Sequence, residues 1–257
     1  MIRSVRRRSS RGAAALLGGG VLLLGELGAR AGWWPPTVLP APSRVLAALR
    51  DNAPELLRHS ATTLTETGLG FGLAVLLGLF TAWLLHRLPL LRRAALPWLV
   101  VSQTIPLIAL APILLIWLGF GLLPKVLLVT LGCFFPIVVA TLDGLERTDP
   151  ELIRVLQSLD ATPRQIDRHL RFPAALPAVF SGLKVAGTYA VTTAIFAEYV
   201  GGYAGLGIFI QTSANARATD LVFAAVFLSA LFSVLLVQVI AWLARRSLRW
   251  LPPENPT

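Results

Sequence analysis

The chain has 257 residues, 55% of them hydrophobic and only 14% charged, with a mean hydropathy of +0.70 and a formal net charge of +10. A water-soluble domain carries about a quarter of its residues charged, so the composition excludes one and points to a single all-α bundle of membrane helices whose solvent is the lipid bilayer. The bases lie between apolar blocks and are not interleaved with stacking aromatics on one soluble face, which argues against a nucleic-acid partner.

A helix needs about 20 apolar residues to cross about 30 Å of hydrocarbon. Six stretches meet that length: Ala13–Ala31, Thr67–Leu85, Ala94–Leu118, Val126–Leu142, Ala178–Val200 and Leu221–Leu243. The first follows a basic stretch ending at Arg11 and closes on Ala29-Arg30-Ala31, so it has the features of a signal peptide with an A-x-A cleavage site as well as those of an anchor. An uncut anchor is the reading adopted, which makes residues 1–32 a basic N-terminus and first membrane helix. Residues 33–66, with Pro35, Pro36, Pro40, Pro42 and a mildly amphipathic stretch from Ser43 to His59, read as an extracytoplasmic linker and surface helix. Residues 67–244 form the membrane core, with one large loop at 143–177, and residues 245–257 form a tail expected to be disordered after Trp250.

Orientation follows from Lys and Arg near the span ends. With the N-terminus in the cytoplasm, seventeen of the 23 bases fall on the inner side, among them Arg3, Arg87, Arg147, Arg171 and Arg245; Arg30, Arg44, Arg50, Arg58, Lys125 and Arg217 remain outside. Both termini are therefore placed in the cytoplasm of a multi-pass cell-membrane protein, with the 143–177 loop on the same side.

That loop reads as two short helices. Asp149 is an N-cap, Pro150 takes N1 and Glu151 lies in the first turn, where the helix dipole favours an acid. Leu152, Ile153, Val155, Leu156 and Leu159 fall on one face at helical spacing. Thr162-Pro163-Arg164-Gln165 opens the second helix as a capping box, and Asp160-Ala161 reverses the chain between them. Phe172-Pro173 and Leu176-Pro177 end the element and lead into the fifth span. Anchoring to anionic headgroups would explain the bases, but an apolar stripe outside the bilayer fits a protein groove.

The run from Gln103-Thr104-Ile105-Pro106 through Ala111-Pro112 to Trp117-Leu118-Gly119-Phe120-Gly121, with Pro124-Lys125 and Phe134-Phe135-Pro136-Ile137 after it, resembles permease subunits of binding-protein-dependent ABC importers. The branch is the one for nitrate, sulfonates, taurine and thiamine-pyrimidine precursors, and the resemblance extends from Leu39-Pro40 to the sixth block through Ala197-Glu198-Tyr199 and Gly205-Leu206-Gly207. The large loop falls where that family carries its EAA loop, E-A-A-x3-G-x9-I-x-L-P. The pattern lies on Arg154, Val155, Leu156, Asp160, Leu170, Arg171, Phe172 and Pro173 with its spacing kept, while the opening acid, two small residues and glycine are replaced.

The resemblance implies an all-α permease of the type I importer kind, with about six transmembrane helices and a cytoplasmic coupling helix-turn-helix. It implies a homodimer working with two ABC ATPase subunits and an extracytoplasmic solute-binding protein. Glu151, Arg154, Val155, Leu156, Leu159 and Asp160 would meet the ATPase, and Leu170, Phe172 and Pro173 would fix the loop against the spans. Ser213 to Ala225 is similar to members assigned to hydroxymethylpyrimidine or riboflavin uptake, with sulfonate, taurine or nitrate as the alternative. No G-x-x-x-x-G-K-[ST] occurs in the sequence, so the chain is not an enzyme: ATP and magnesium belong to the partner ATPase and no cofactor is expected on this chain.

Within the spans, Gln103 and Thr104 on the third and Tyr189, Thr192 and Thr193 on the fifth are candidates for a translocation path, or for hydrogen bonds between helices. Glu198 is either a gate or an outer-face salt-bridge partner, and Glu26 shares that ambiguity. Lys184 reaches the inner headgroups by snorkelling. The single Cys133 reads as packing, and His59, His86 and His169 have no metal-ligand spacing. An ion-coupled secondary transporter would show paired charges at mid-membrane and inverted repeats, and a membrane enzyme would cluster Asp, His or Glu; neither pattern is evident in the sequence.

Overall fold

Inside a bilayer every backbone polar group must find its partner within its own segment or in buried protein, and helix is the regular structure throughout the residues described. The computed structural model describes residues 2–250, with side chains from residue 16 onward. The helices are α1 (Ile2–Arg30), α2 (Pro42–Asp51), α3 (Ala53–Arg87), α4 (Pro89–Thr104), α5 (Leu107–Leu118), α6 (Leu122–Glu146), α7 (Pro150–Ser158), α8 (Pro163–Ile166), α9 (Phe172–Gly201), α10 (Leu206–Asn215) and α11 (Thr219–Ser247). The expected disorder after Trp250 lies outside the described residues.

Among the described residues α3, α6, the run Pro163–Gly201 and α11 are long and apolar enough to cross a membrane, and the pair α4–α5 makes a fifth crossing only as a bent unit. The helix of the first apolar block is α1, whose Leu16, Leu22 and Leu24 are exposed. Three boundaries differ from the sequence reading. The third block is not one helix: it breaks at Ile105-Pro106 with a bend of 95°. Ile105 takes φ −75°, ψ 120°, the extended conformation that the following proline imposes, and Pro106 has no amide to continue the ladder.

The second difference runs the other way. Pro173 and Pro177 do not end the loop helix, because residues Asp167–Arg171 form a π-helical turn in which the Phe172 amide bonds the Asp167 carbonyl. That wider turn precedes Pro173, whose ring would otherwise clash with the carbonyl four residues back. The helix therefore runs unbroken from Pro163 through α9. Likewise α3 is continuous through residue 66, and its 35 residues make a rod about 52 Å long.

The central helix is α6, packed along α3 on one side and α9 on the other. Lipid supplies no hydrophobic drive between helices, so packing depends on close backbone approach. A Cβ on Gly70 would lie 2.5 Å from the Val129 Cβ, and one on Gly182 would lie 2.6 Å from the Ala140 Cβ. Ala74, Val129, Cys133, Ile137, Ala186 and Ala190 fill the core between these three helices. On the flank, Glu26 resolves as a cap: it accepts hydrogen bonds from the Ser43 amide (3.0 Å) and hydroxyl (2.8 Å) at the start of α2, and from Arg30 Nε (2.8 Å).

At the end of the bundle away from α7 lies a buried polar cluster. Lys125 Nζ donates to Glu66 Oε1 at 2.7 Å, with the two residues 5% and 1% exposed. The Thr63 hydroxyl donates to Glu198 Oε1 at 2.6 Å, and the fully buried Glu198 also accepts from the Gly207 amide at 2.7 Å. The Leu206 amide donates to Thr63 Oγ1 at 2.9 Å, and His59 Nδ1 lies 3.0 Å from the Gly205 amide. Gly205 has φ +120°, and a Cβ there would meet the Glu198 carboxyl carbon at 2.1 Å, so only glycine fits. These side chains satisfy the free amides of the first turn of α10 from two other helices.

Removing one partner of a buried ion pair leaves an uncompensated charge and costs about 3–5 kcal/mol, whereas replacing both by apolar groups of similar volume is often near neutral. Lys125→Met is therefore expected to lower the thermal midpoint of the detergent-solubilised protein sharply. Lys125→Met combined with Glu66→Leu should recover most of that loss; an unchanged midpoint in the single variant would show that the pair does not bear on stability.

Candidate functional site

Two sites emerge: a cavity between the spans and a helical hairpin outside them. The cavity has a volume of about 330 Å³ and lies where the α4–α5 bend faces α6 and α9. Ser102 and Gln103 enter from the bend, Gly132 and Phe135 from α6, and Tyr189 and Thr193 from α9. Hydroxyls in the last turn of α4 bond back to carbonyls of the same helix: Ser102 Oγ donates to Leu99 O at 2.7 Å and Thr104 Oγ1 to Val101 O at 2.8 Å. Gly132 keeps the floor open, since a Cβ there would stand 3.1 Å from both Leu107 Cδ1 and Thr193 Oγ1.

The structure thus brings Gln103, Tyr189 and Thr193 together and separates the other path candidates from them. Thr104 serves the end of its own helix, Thr192 is exposed on α9 outside the cavity, and Glu198 is locked into the polar cluster at the far end. Lys184 lies exposed within α9, well inside the continuous helix.

In the hairpin, Asp149 Oδ1 accepts from the Glu151 amide at 2.8 Å and caps α7. The Gln165 amide donates to Thr162 Oγ1 (3.4 Å) while the Thr162 amide donates to Gln165 Oε1 (2.7 Å), the reciprocal pair of a capping box on α8. Between them Asp160 adopts φ +59°. The Asp160 amide bonds Gln157 O (3.1 Å) and the Ala161 amide bonds Leu156 O (3.0 Å), which is a Schellman closure. Leu152, Val155 and Leu159 are 49%, 55% and 71% exposed, and Glu151, Arg154 and Asp160 are exposed with them. No residue of α7 is buried, and α7 makes no extended contact with another helix of this chain. Leu170 and Pro173 are half-buried, whereas Phe172 is 38% exposed. The buried residues at the base of the hairpin are Ile166 and Asp167.

Sequence reasoning missed His59, Thr63, Glu66 and Lys125 as a unit. A signal existed: His59, Thr63, Glu66, Gly70 and Ala74 recur at helical spacing along one face of α3, and all five are buried. It also missed Asp167, the one acid in the basic stretch from Arg164 to Arg171. Among the described residues no group of three or more His, Cys, Asp or Glu is placed to hold a metal ion.

A bundle of membrane-crossing helices around a solute-sized, partly polar cavity has the architecture of a permease, and its hairpin stands with an apolar face exposed. The chain belongs to the family of binding-protein-dependent transport system inner membrane components, which matches residues 74–249. It is 35% identical over 216 residues to the formylaminopyrimidine transport permease protein ThiX of Halalkalibacterium halodurans, covering 84% of this chain and 86% of that one. It is 32% identical over 232 residues to the riboflavin transport system permease protein RibX of Chloroflexus aurantiacus, covering 90% and 87%. Its fold is similar to that of a chain in the inward-facing MetNI methionine ABC transporter, with a TM-score of 0.63, 23% identity, and coverage of 79% of this chain and 99% of that one. The protein is accordingly a multi-pass membrane protein and a transport subunit.

A left-handed non-glycine residue carries about 1–2 kcal/mol of steric cost, which Asp bears better than bulkier side chains. Asp160→Gly is expected to leave the hairpin closed, while Asp160→Val should loosen it. Amide hydrogen exchange over residues 156–161 is the measurement: faster exchange at Ala161 in the Val variant alone is the expected result, and equal exchange in all three proteins would contradict it.

Proposed function

We propose that the chain is the permease subunit of an ATP-driven importer, working as a homodimer with two ABC ATPase subunits and an extracytoplasmic solute-binding protein. One observation carries this reading. The hairpin is built with two caps and a Schellman closure, yet among the described residues Leu152, Val155 and Leu159 stay exposed and α7 makes no extended contact with another helix. A folded apolar face outside the spans fits a groove on a partner. The family's EAA loop falls on this hairpin, so the partner is the ATPase, which would hold ATP and magnesium. Glu151, Arg154, Val155, Leu156, Leu159 and Asp160 then form the docking surface. Leu170 and Pro173 seat its base, and Phe172 lies beside them. The hairpin and both termini lie in the cytoplasm, in keeping with the distribution of Lys and Arg.

The solute crosses along the cavity, with Gln103, Tyr189 and Thr193 in contact with it, and ATP-driven closure of the ATPases alternates the two chains between inward-open and outward-open states. Among the residues lining the cavity there is no basic side chain. That favours an uncharged heterocycle, of the kind named for the formylaminopyrimidine and riboflavin permeases it is similar to, over a sulfonate, taurine or nitrate. Tyr189 and Phe135 offer faces for a planar ring, and Gln103 and Thr193 offer hydrogen bonds.

Leu156→Asp with Leu159→Asp is expected to release the ATPase on copurification from membranes while leaving insertion of the permease intact. Retention of the ATPase by the double variant would remove the hairpin from this role.

A further inference from the structure

The hairpin meets the rest of the chain through a narrow base. Among the described residues its first arm, α7, makes no extended contact with another helix and joins α6 only through the short link at residues 147–149, so the side-chain contacts that tie the hairpin to the spans lie on the second arm. That arm is continuous with α9, but the connection runs through the π-helical turn Asp167–Arg171. A π-turn is a local change of helical register and is frequent at functional positions. Helix continuity alone therefore leaves a soft joint directly beneath the docking surface.

A second connection bridges that joint. Asp167, the first residue of the turn, is 2% exposed. Its Oδ2 lies 2.8 Å from Nη2 of Arg87, the last residue of α3. Its Oδ1 lies 3.2 Å from Arg171 Nη1, one turn further along, and 3.8 Å from His86 Nε2. Arg171 Nη1 also stands 3.4 Å from His86 Nε2. The Asp167 side chain is 3% exposed while those of Arg87 and Arg171 are 36% and 32% exposed, so withdrawing the guanidinium groups would leave a desolvated carboxylate and the contact favours one position. Arg92 and Glu146 pair nearby and join α4 to α6, but that pair does not involve the hairpin. The tie from the second arm to another span is thus Asp167 to the end of α3.

The other end of α3 carries His59 and Thr63, which hold Glu198 and the start of α10, and Glu66, which pairs with Lys125 of α6. We infer that Asp167 is a positioning residue for coupling: through Arg87 it clamps the docking hairpin to α3, so that displacement of the hairpin is delivered along that rod to the polar cluster at the opposite end of the bundle. It does this from a buried position and touches neither the docked partner nor the solute. This inference rests on the reading of the hairpin as the ATPase docking element.

The test uses the complete importer with its ATPase subunits in lipid nanodiscs, spin-labelled at Ala61→Cys, an exposed position near the far end of α3. The distance between the two labels of the homodimer is measured by double electron–electron resonance, without nucleotide and with ATP and vanadate. The wild-type background should show an ATP-driven shift. Asp167→Asn and Arg87→Gln should each keep the ATPase bound and hydrolysing ATP, yet reduce the shifted population at least about fivefold, the lower end of usual coupling energies. Asp167→Glu, which restores the charge, should recover part of it. A shift in both Asp167→Asn and Arg87→Gln equal to the wild type would overturn the inference, and so would loss of the ATPase from Asp167→Asn, which would place Asp167 in the docking surface itself. Absence of any ATPase or shift in the wild-type background would instead overturn the docking reading, and this inference with it.

Discussion

The fold depends on charge buried where water cannot reach it. Glu66, Lys125 and Glu198 come from three different helices, and each is buried where a polar group without a partner is costly. Once Lys125 pairs with Glu66, and Thr63 and the first-turn amides of α10 occupy the oxygens of Glu198, the vertical register of α3, α6 and α9 is set. Apolar stripes alone would not set it, since a glycine- and alanine-lined interface tolerates sliding by a turn at modest cost. The ion pair supplies the specificity, and the Gly70–Val129 and Gly182–Ala140 approaches supply the contact. The sequence shows no paired charges at mid-membrane, and the pair found in the structure lies toward the end of the bundle where α6 begins.

The same logic orders the opposite end with different materials. Here the helices emerge from the apolar zone, and the contacts are guanidinium to carboxylate: Arg87 to Asp167, and Arg92 to Glu146. Between the two charged layers lies an almost wholly apolar interior interrupted by the cavity at the α4–α5 bend. The molecule is therefore a rod-and-socket arrangement in which α3 spans the distance between the layers and carries a charged contact at each.

The sequence made some of this legible because the relevant physics is local. Apolar run lengths report spans, and Asp149-Pro150, Thr162-Pro163 and Gln165 report helix starts, so the class of fold and the existence of the hairpin could be read directly. Proline was an ambiguous signal. Pro97, Pro112, Pro136 and Pro177 stay inside helices, whereas Pro106 breaks one, and nothing in the residue itself separates the cases; the hydroxyls of Ser102 and Thr104 that serve the broken end are visible only in three dimensions. Glu66 and Lys125 are 59 residues apart, and Arg87 and Asp167 further still, so neither pairing leaves a periodic trace. Gln103, Tyr189 and Thr193 were recognised one by one from polarity within a span, but their convergence on one cavity depends on the bend.

That bend also bears on how an interrupted helix can persist inside a bilayer. Ile105 and Pro106 interrupt a helix at a depth where lipid offers main-chain groups nothing to bond, and such interruptions persist only beside protein or trapped water. In this chain the residues on both sides of the break line the cavity against α6 and α9, so the opening in the bundle and the shelter that the broken main chain needs are one and the same feature.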